Sequence, residues 1–196
     1  KIIMESGKDV LDLNEYYANG DVKDNYYSNM SFNNVNTSIY YMENGEKTDK
    51  LLSEFMNGEL WGTKLTNIPL GDYYVSYNIT DKSGNTGTAH SILKVQDTKA
   101  PEITLNGDTS KDVVINSEYT YTEEGATAID LRDGEITVTA DNIRIDWAGK
   151  DGTNKWSVNP EDMTYDQLGT YKVIYKVTDK AGNSKEVIRY INIVEK

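Results

Sequence analysis

The chain has 196 residues, 37% of them apolar, with no cysteine, one histidine and a formal net charge of −12. Without thiols there is no disulfide framework, thiolate metal site or cysteine nucleophile, and the lone His90 leaves a Ser-His-Asp triad or a histidine zinc site very hard to build. The acidic excess runs through both halves (14 acidic to 8 basic over residues 1–97, 18 to 12 over 98–196), which disfavours nucleic acid as a partner, and no apolar run is long enough to insert into a membrane.

Along the chain, "TDKLLSEFMNG" (Thr48 to Gly58) predicts a short helix. Thr48 would be its N-cap, Leu51, Leu52, Phe55 and Met56 its apolar stripe, and Gly58 its stop. Strand periodicity follows. Tyr73, Val75, Tyr77 and Ile79 alternate with polar residues, and "HSILKV" resumes the pattern beyond "TDKSGN". The pair reads as a hairpin closed by Asp81, Gly84 and Asn85. The aspartate would accept backbone N–H bonds and the glycine would take a positive φ.

The pattern then repeats. "GDYYVSYNITDKSGN" (Gly71 to Asn85) and "GTYKVIYKVTDKAGN" (Gly169 to Asn183) share Gly, Tyr, Val, Tyr, Thr, Asp, Lys, Gly and Asn in place without a gap. Two copies of one structural unit are therefore predicted, over residues 1–97 and 98–196, with the boundary in "VQDTKAPEI". In the second copy "EITL", "DVVI", "ATAIDL", "EITVTA" and "IRIDW" read as short strands between turn signals. "NPEDMTYDQLG" reads as a second helical crossover starting at Asn159 and Pro160. Asp179, Gly182 and Asn183 would close the second hairpin as Asp81, Gly84 and Asn85 close the first. The fold expected is all-β: two tandem sandwiches with short helical crossover segments.

"APEITLNGD", "YTEEGATAIDLRDGEITV", "GTYKVIYKVTDKAGN" and the closing "VIRYINIV" resemble bacterial immunoglobulin-like repeats of Gram-positive surface proteins. The resemblance covers nearly all of residues 100–196. In the first copy it covers the hairpin and the opening "GKDVLDLNEYYANGDVKDN", while the middle, Tyr26 to Ile68, departs from the family pattern. It implies immunoglobulin-like sandwiches in a secreted or wall-attached protein, working as stalk, adhesion or accessory modules.

Candidate sites are few. Paired carboxylates (Glu123 with Glu124, Asp130 with Asp133, Glu161 with Asp162) are the only acid–base parts, and solvated turns and caps account for most of them, so no catalytic residue is expected. Asp130, Asp133 and Glu135 in "DLRDGE", with Asp97 at the junction, offer hard oxygen ligands for calcium, although Arg132 supplies an internal counter-charge. No other cofactor is expected. Fifteen tyrosines against two phenylalanines raise a ligand-stacking reading for Tyr26, Tyr40 and Trp61, and for Trp147 and Trp156 flanking "AGKDGTNK". Strand propensity and core filling are the structural alternative. The functional expectation is a non-catalytic extracellular structural or adhesion module, connected to neighbouring domains of its own polypeptide, with a host matrix protein or polysaccharide as its external ligand. The alternative is a carbohydrate-binding accessory region of a secreted glycoside hydrolase.

Overall fold

Alternating side chains rich in valine, isoleucine and tyrosine favour extended chain, and strands carry nearly all the regular structure. The computed structural model describes residues 2–5, 11–12, 34–56, 64–65, 68–152 and 156–196. Among these there are strands, turns and short 3-10 segments but no α-helix. The chain divides into two compact units, Lys1–Asp97 and Thr98–Lys196.

The first unit contains β1 (Ile2–Glu5), β2 (Leu11–Asp12), β3 (Asn36–Glu43), β4 (Glu46–Phe55), β5 (Lys64–Leu65), β6 (Gly71–Thr80) and β7 (Thr86–Gln96). Five of these form a sheet in the order β1-β7-β6-β3-β4, and β2 pairs with β5. Period-two alternation sends Ile39, Tyr73, Val75, Leu93 and Val95 to one face, where they form the core with Met4, Phe55 and Ile68. Leu65 of β5 packs against that core.

The helix expected over Thr48–Gly58 is instead strand β4 as far as Phe55. Asn44 and Gly45, at φ 52° and 83°, form the two-residue turn that the strands' own twist prefers, and the turn sends the chain back along β3. Thr48 is no helix cap. Its hydroxyl donates to the Tyr41 carbonyl at 2.8 Å and accepts the Lys50 N–H at 3.2 Å, inside a stretch where the register shifts around Tyr40. Phe55 reaches the core, while Leu51 and Met56 remain exposed.

The second unit contains β8 (Glu102–Leu105), β9 (Ser110–Val114), β10 (Ala126–Asp130), β11 (Gly134–Ile136), β12 (Ile143–Gly149), β13 (Trp156–Val158), β14 (Gly169–Thr178) and β15 (Ser184–Val194). A three-stranded sheet, β11-β10-β8, accompanies a five-stranded one, β13-β12-β14-β15-β9. Leu105 and Ala126 of the smaller sheet pack on Val113, Ile145, Trp147, Tyr171, Val173, Tyr175, Ile191 and Ile193 of the larger. The second expected crossover helix shrinks to one 3-10 turn, Pro160–Asp162. Met163 leaves it at φ −66°, ψ 125°, and both Met163 and Tyr165 pack against the core. Burial of those two side chains outweighs extension of a short polar helix.

Two features recur in both units. First, the last strand is flanked by an early strand running parallel to it: β1 beside β7, Ile2 to Glu5 against Leu93 to Gln96, and β9 beside β15, Ser110 to Val114 against Tyr190 to Val194. Second, the tyrosine that opens the hairpin strand anchors the preceding loop. The Tyr73 hydroxyl donates to the Pro69 carbonyl at 2.7 Å. The Tyr171 hydroxyl donates to the Thr164 carbonyl at 2.7 Å and accepts the Thr164 N–H at 2.9 Å.

Candidate metal centre

The repeated hairpins close on the same device. Asp81 accepts the Ser83 and Asn85 N–H groups at 2.8 Å each, and its second oxygen accepts the Asn85 side chain at 2.7 Å. Asp179 accepts the Asn183 N–H at 2.8 Å and its side-chain amide at 2.9 Å. Gly84 and Gly182 supply the positive φ, 89° and 94°, that lets each loop turn back. At Asp81, the Asn85 side chain leads the interactions that hold its carboxyl below the ordinary aspartate range. At Asp179, desolvation pushes upward, but the bonds from Asn183 and the loop backbone prevail and the net direction is again down.

The two turns differ in what surrounds them. Asp179 is buried, at 7% exposure, and so is Asp130, at 3%. Asp130 sits at the end of β10, where its Oδ1 accepts the N–H groups of Arg132 and Asp133 at 2.8 Å each and so shapes the turn into β11. Its Oδ2 is buried without a hydrogen-bond partner. Asp97 immediately precedes Thr98, the first residue of the second unit. Within the second unit, Asp130 and Asp179 each bring one carboxylate oxygen to within 4.8 Å of the other. Two unit negative charges at 4.8 Å repel by about 3.5 kcal/mol at an effective dielectric of about 20. A buried arrangement of this kind favours a bound cation.

Two of the acids expected as ligands have other settings. Asp133 points elsewhere: it accepts the Lys180 backbone N–H at 2.8 Å and pairs with the Lys180 ammonium at 3.4 Å, which staples the β10–β11 turn to the second hairpin. Glu135 is exposed on β11, in register with Ile129. Asp179 is the acid that stands beside Asp130. Reading it as a turn residue was right as far as it went, but its local bonds leave room for a second role.

The aromatic candidates fare differently. Trp147 is a core residue, 3% exposed, packed on Tyr171 with ring centroids 4.4 Å apart, and is no ligand platform. Tyr40 is half-buried, and the Lys47 ammonium lies 3.8 Å from its ring centroid, so its own hairpin partner occupies one ring face. Trp156 lies on β13, opposite Trp147 in register, and its side chain is outside the described residues. Tyr26 and Trp61 are outside them too.

The paired carboxylates have structural partners. Glu123 accepts the Tyr121 and Tyr175 hydroxyls and the Gly125 N–H. Glu124 pairs at 3.1 Å with Arg189, a buried cation that also donates to the Asn106 carbonyl at 2.6 Å.

No protein-family model matches the chain. Part of it, 111 residues or 54%, is 35% identical to an outer cell wall protein of Brevibacillus brevis. A second similarity, 31% over 120 residues or 58% of the chain, is to an uncharacterized 81.3 kDa protein of Acholeplasma phage L2. The matched regions span 10% and 14% of those proteins. Among the described residues no helix is long and apolar enough to cross a membrane.

Proposed function

We propose that this chain is a non-catalytic structural module of a bacterial cell-surface protein. In this reading it consists of two immunoglobulin-like sandwiches that serve as a spacer, transmitting tension and presenting neighbouring domains of the same polypeptide. The parallel pairing of β1 with β7 and of β9 with β15 carries the proposal. Pulling on the two ends of the first unit, or of the second once β8 has been drawn off β10, drives the paired strands past each other in opposite directions. The hydrogen bonds of the pair are then loaded together, rather than opened one after another as in a hairpin peeled from its end. A part whose work is spacing under load needs that geometry.

Three observations support the reading. The chain resembles an outer cell wall protein over about half its length. The tyrosine anchors at Tyr73 and Tyr171 lock loops onto the hairpin strands as such sandwiches do. The carboxylates most suited to acid–base work, Glu123, Glu124 and Asp133, are engaged by Tyr121, Tyr175, Arg189 and Lys180.

Antibodies against the purified chain test the location. They should label intact cells of the source organism, with the antigen in the wall or secreted fraction. Label that reaches the antigen only after lysis would end the proposal.

A further inference from the structure

We infer that the solvent face of the five-stranded sheet in the second unit binds a neutral polysaccharide. A shallow, open trough of about 630 Å³ runs there over β9, β12, β14 and β15, a size typical of ligand clefts. Strand register puts its residues on one face. Ala148, Thr170, Asn192 and Asp112 stand in one row across the four strands, and Lys172, Tyr190 and Ser110 stand in the next. Alternation sends Trp147, Tyr171 and Ile191 to the core on the opposite face.

Three features of the lining point to sugar. The first is a polar row already fixed in place. The Asn192 side chain accepts the Thr170 hydroxyl at 3.2 Å and donates to Ser110 Oγ at 3.2 Å and to Asp112 Oδ1 at 2.9 Å. Three strands hold these groups, so little ordering is left for a ligand to impose.

The second feature is the set of groups left over. Lys172 and Tyr190 are exposed and stand opposite each other in register. Among the described residues, neither side chain has a hydrogen bond, ion pair or ring contact. Asp112 commits one oxygen to Asn192 and keeps the other. A hydroxyl both donates and accepts, so a ligand rich in hydroxyls can use the Lys172 ammonium and the Asp112 carboxylate together. The Tyr190 ring, 38% exposed, offers a flat apolar surface to the C–H side of a pyranose and a hydroxyl at its tip.

The third feature is charge. Lys150 pairs with Glu195 at 3.8 Å, and Lys172 offsets Asp112, so the trough is balanced. The unit around it carries 18 acidic and 12 basic residues, a net −6. That field repels a polyanion and leaves a neutral polymer unaffected. Holding a polysaccharide on this face is a second activity, additional to spacing and independent of it.

The test is an NMR titration of the backbone amides of the intact chain. The probes are three neutral hexasaccharides (cellohexaose, maltohexaose and chitohexaose) and an acidic one, hexagalacturonate. Tyr190→Ala and Lys172→Gln are compared with Lys176→Gln, a change on the same strand at a lysine already paired with Glu186. All three side chains are exposed, and thermal melts run alongside should match that of the natural chain. At least one neutral hexasaccharide should bind, with shifts confined to the strands of the trough. Tyr190→Ala should weaken that binding about tenfold, Lys172→Gln should weaken it several-fold, and Lys176→Gln should leave it unchanged. No binding by any neutral hexasaccharide, shifts that fall elsewhere, or affinity undiminished in both trough variants would overturn the inference. Tighter binding of hexagalacturonate would overturn it too, because charge rather than hydroxyl recognition would then select the ligand.

Discussion

Replacing Tyr171 with phenylalanine removes one oxygen and leaves the ring in place against Trp147. The lost hydroxyl both donates to the Thr164 carbonyl at 2.7 Å and accepts the Thr164 N–H at 2.9 Å. Each such bond contributes about 0.5–1.5 kcal/mol net, and a buried group left unpaired costs more. Thr164 is an exposed residue, so water can re-solvate part of what is lost. The expected cost is about 1–2 kcal/mol. At the equivalent position of the first copy, Tyr73→Phe removes the bond to the carbonyl of the exposed Pro69 and should cost about 0.5–1.5 kcal/mol. For domains near 100 residues, about 1 kcal/mol moves Tm by about 4 °C or somewhat more. Calorimetric scans with tryptophan fluorescence, reading the two units as separate transitions, would measure both variants. The reasoning is refuted if either Tyr171→Phe or Tyr73→Phe melts with the natural chain.

Two further predictions concern the second unit. A Cβ on Gly169 would stand 2.5 Å from the Ala148 carbonyl oxygen and 2.5 Å from the Trp147 ring. Gly169→Ala should therefore cost about 1–3 kcal/mol in a urea melt, the usual penalty for overpacking. At high pH the Tyr121 and Tyr175 hydroxyls should ionise late. Burial first, then their hydrogen bonds to Glu123 and its charge, push both above the ordinary tyrosine range. The folded chain then keeps protons that the unfolded chain releases above about pH 10, so stability is full below that pH and falls as pH rises through it. Tm should decline between about pH 9 and about pH 11, and Glu123→Gln should flatten the decline.

Much of this architecture is written locally. Tyr171, Val173, Tyr175 and Val177 alternate cleanly and are all buried on the expected face, because a half-buried strand has only one way to sort its side chains. The "TDKSGN" and "TDKAGN" loops were legible for the same local reason, since an aspartate, a glycine and an asparagine contain the turn's own hydrogen bonds. Thr48–Gly58 was misread because Leu51, Leu52, Phe55 and Met56 have helical spacing. The opposing signal, Asn44-Gly45 just upstream, is the stronger one, since it fixes a hairpin before the helix can begin.

The carboxylate cluster of the second unit was half legible. Asp97 and Asp130 stood out as junction and turn acids. Asp179 could be set beside Asp130 only once β10 and β14 were placed, because the 49-residue separation between them carries no local pattern. Trp147 misled in the other direction. A neighbouring polar loop suggested exposure, but strand alternation from Ile145 puts the ring inward.

The central claim, a spacer that resists pulling at its ends, is tested most directly by stretching single molecules of the chain. Two force peaks are predicted, one per unit, each followed by about 300 Å of released contour length. Ile115→Pro removes the N–H that bonds the Val194 carbonyl at 2.9 Å beside the β9–β15 pair. It should lower the peak of the second unit and leave that of the first unchanged. Extension without resolved peaks, or a second-unit peak indifferent to Ile115→Pro, would contradict the account.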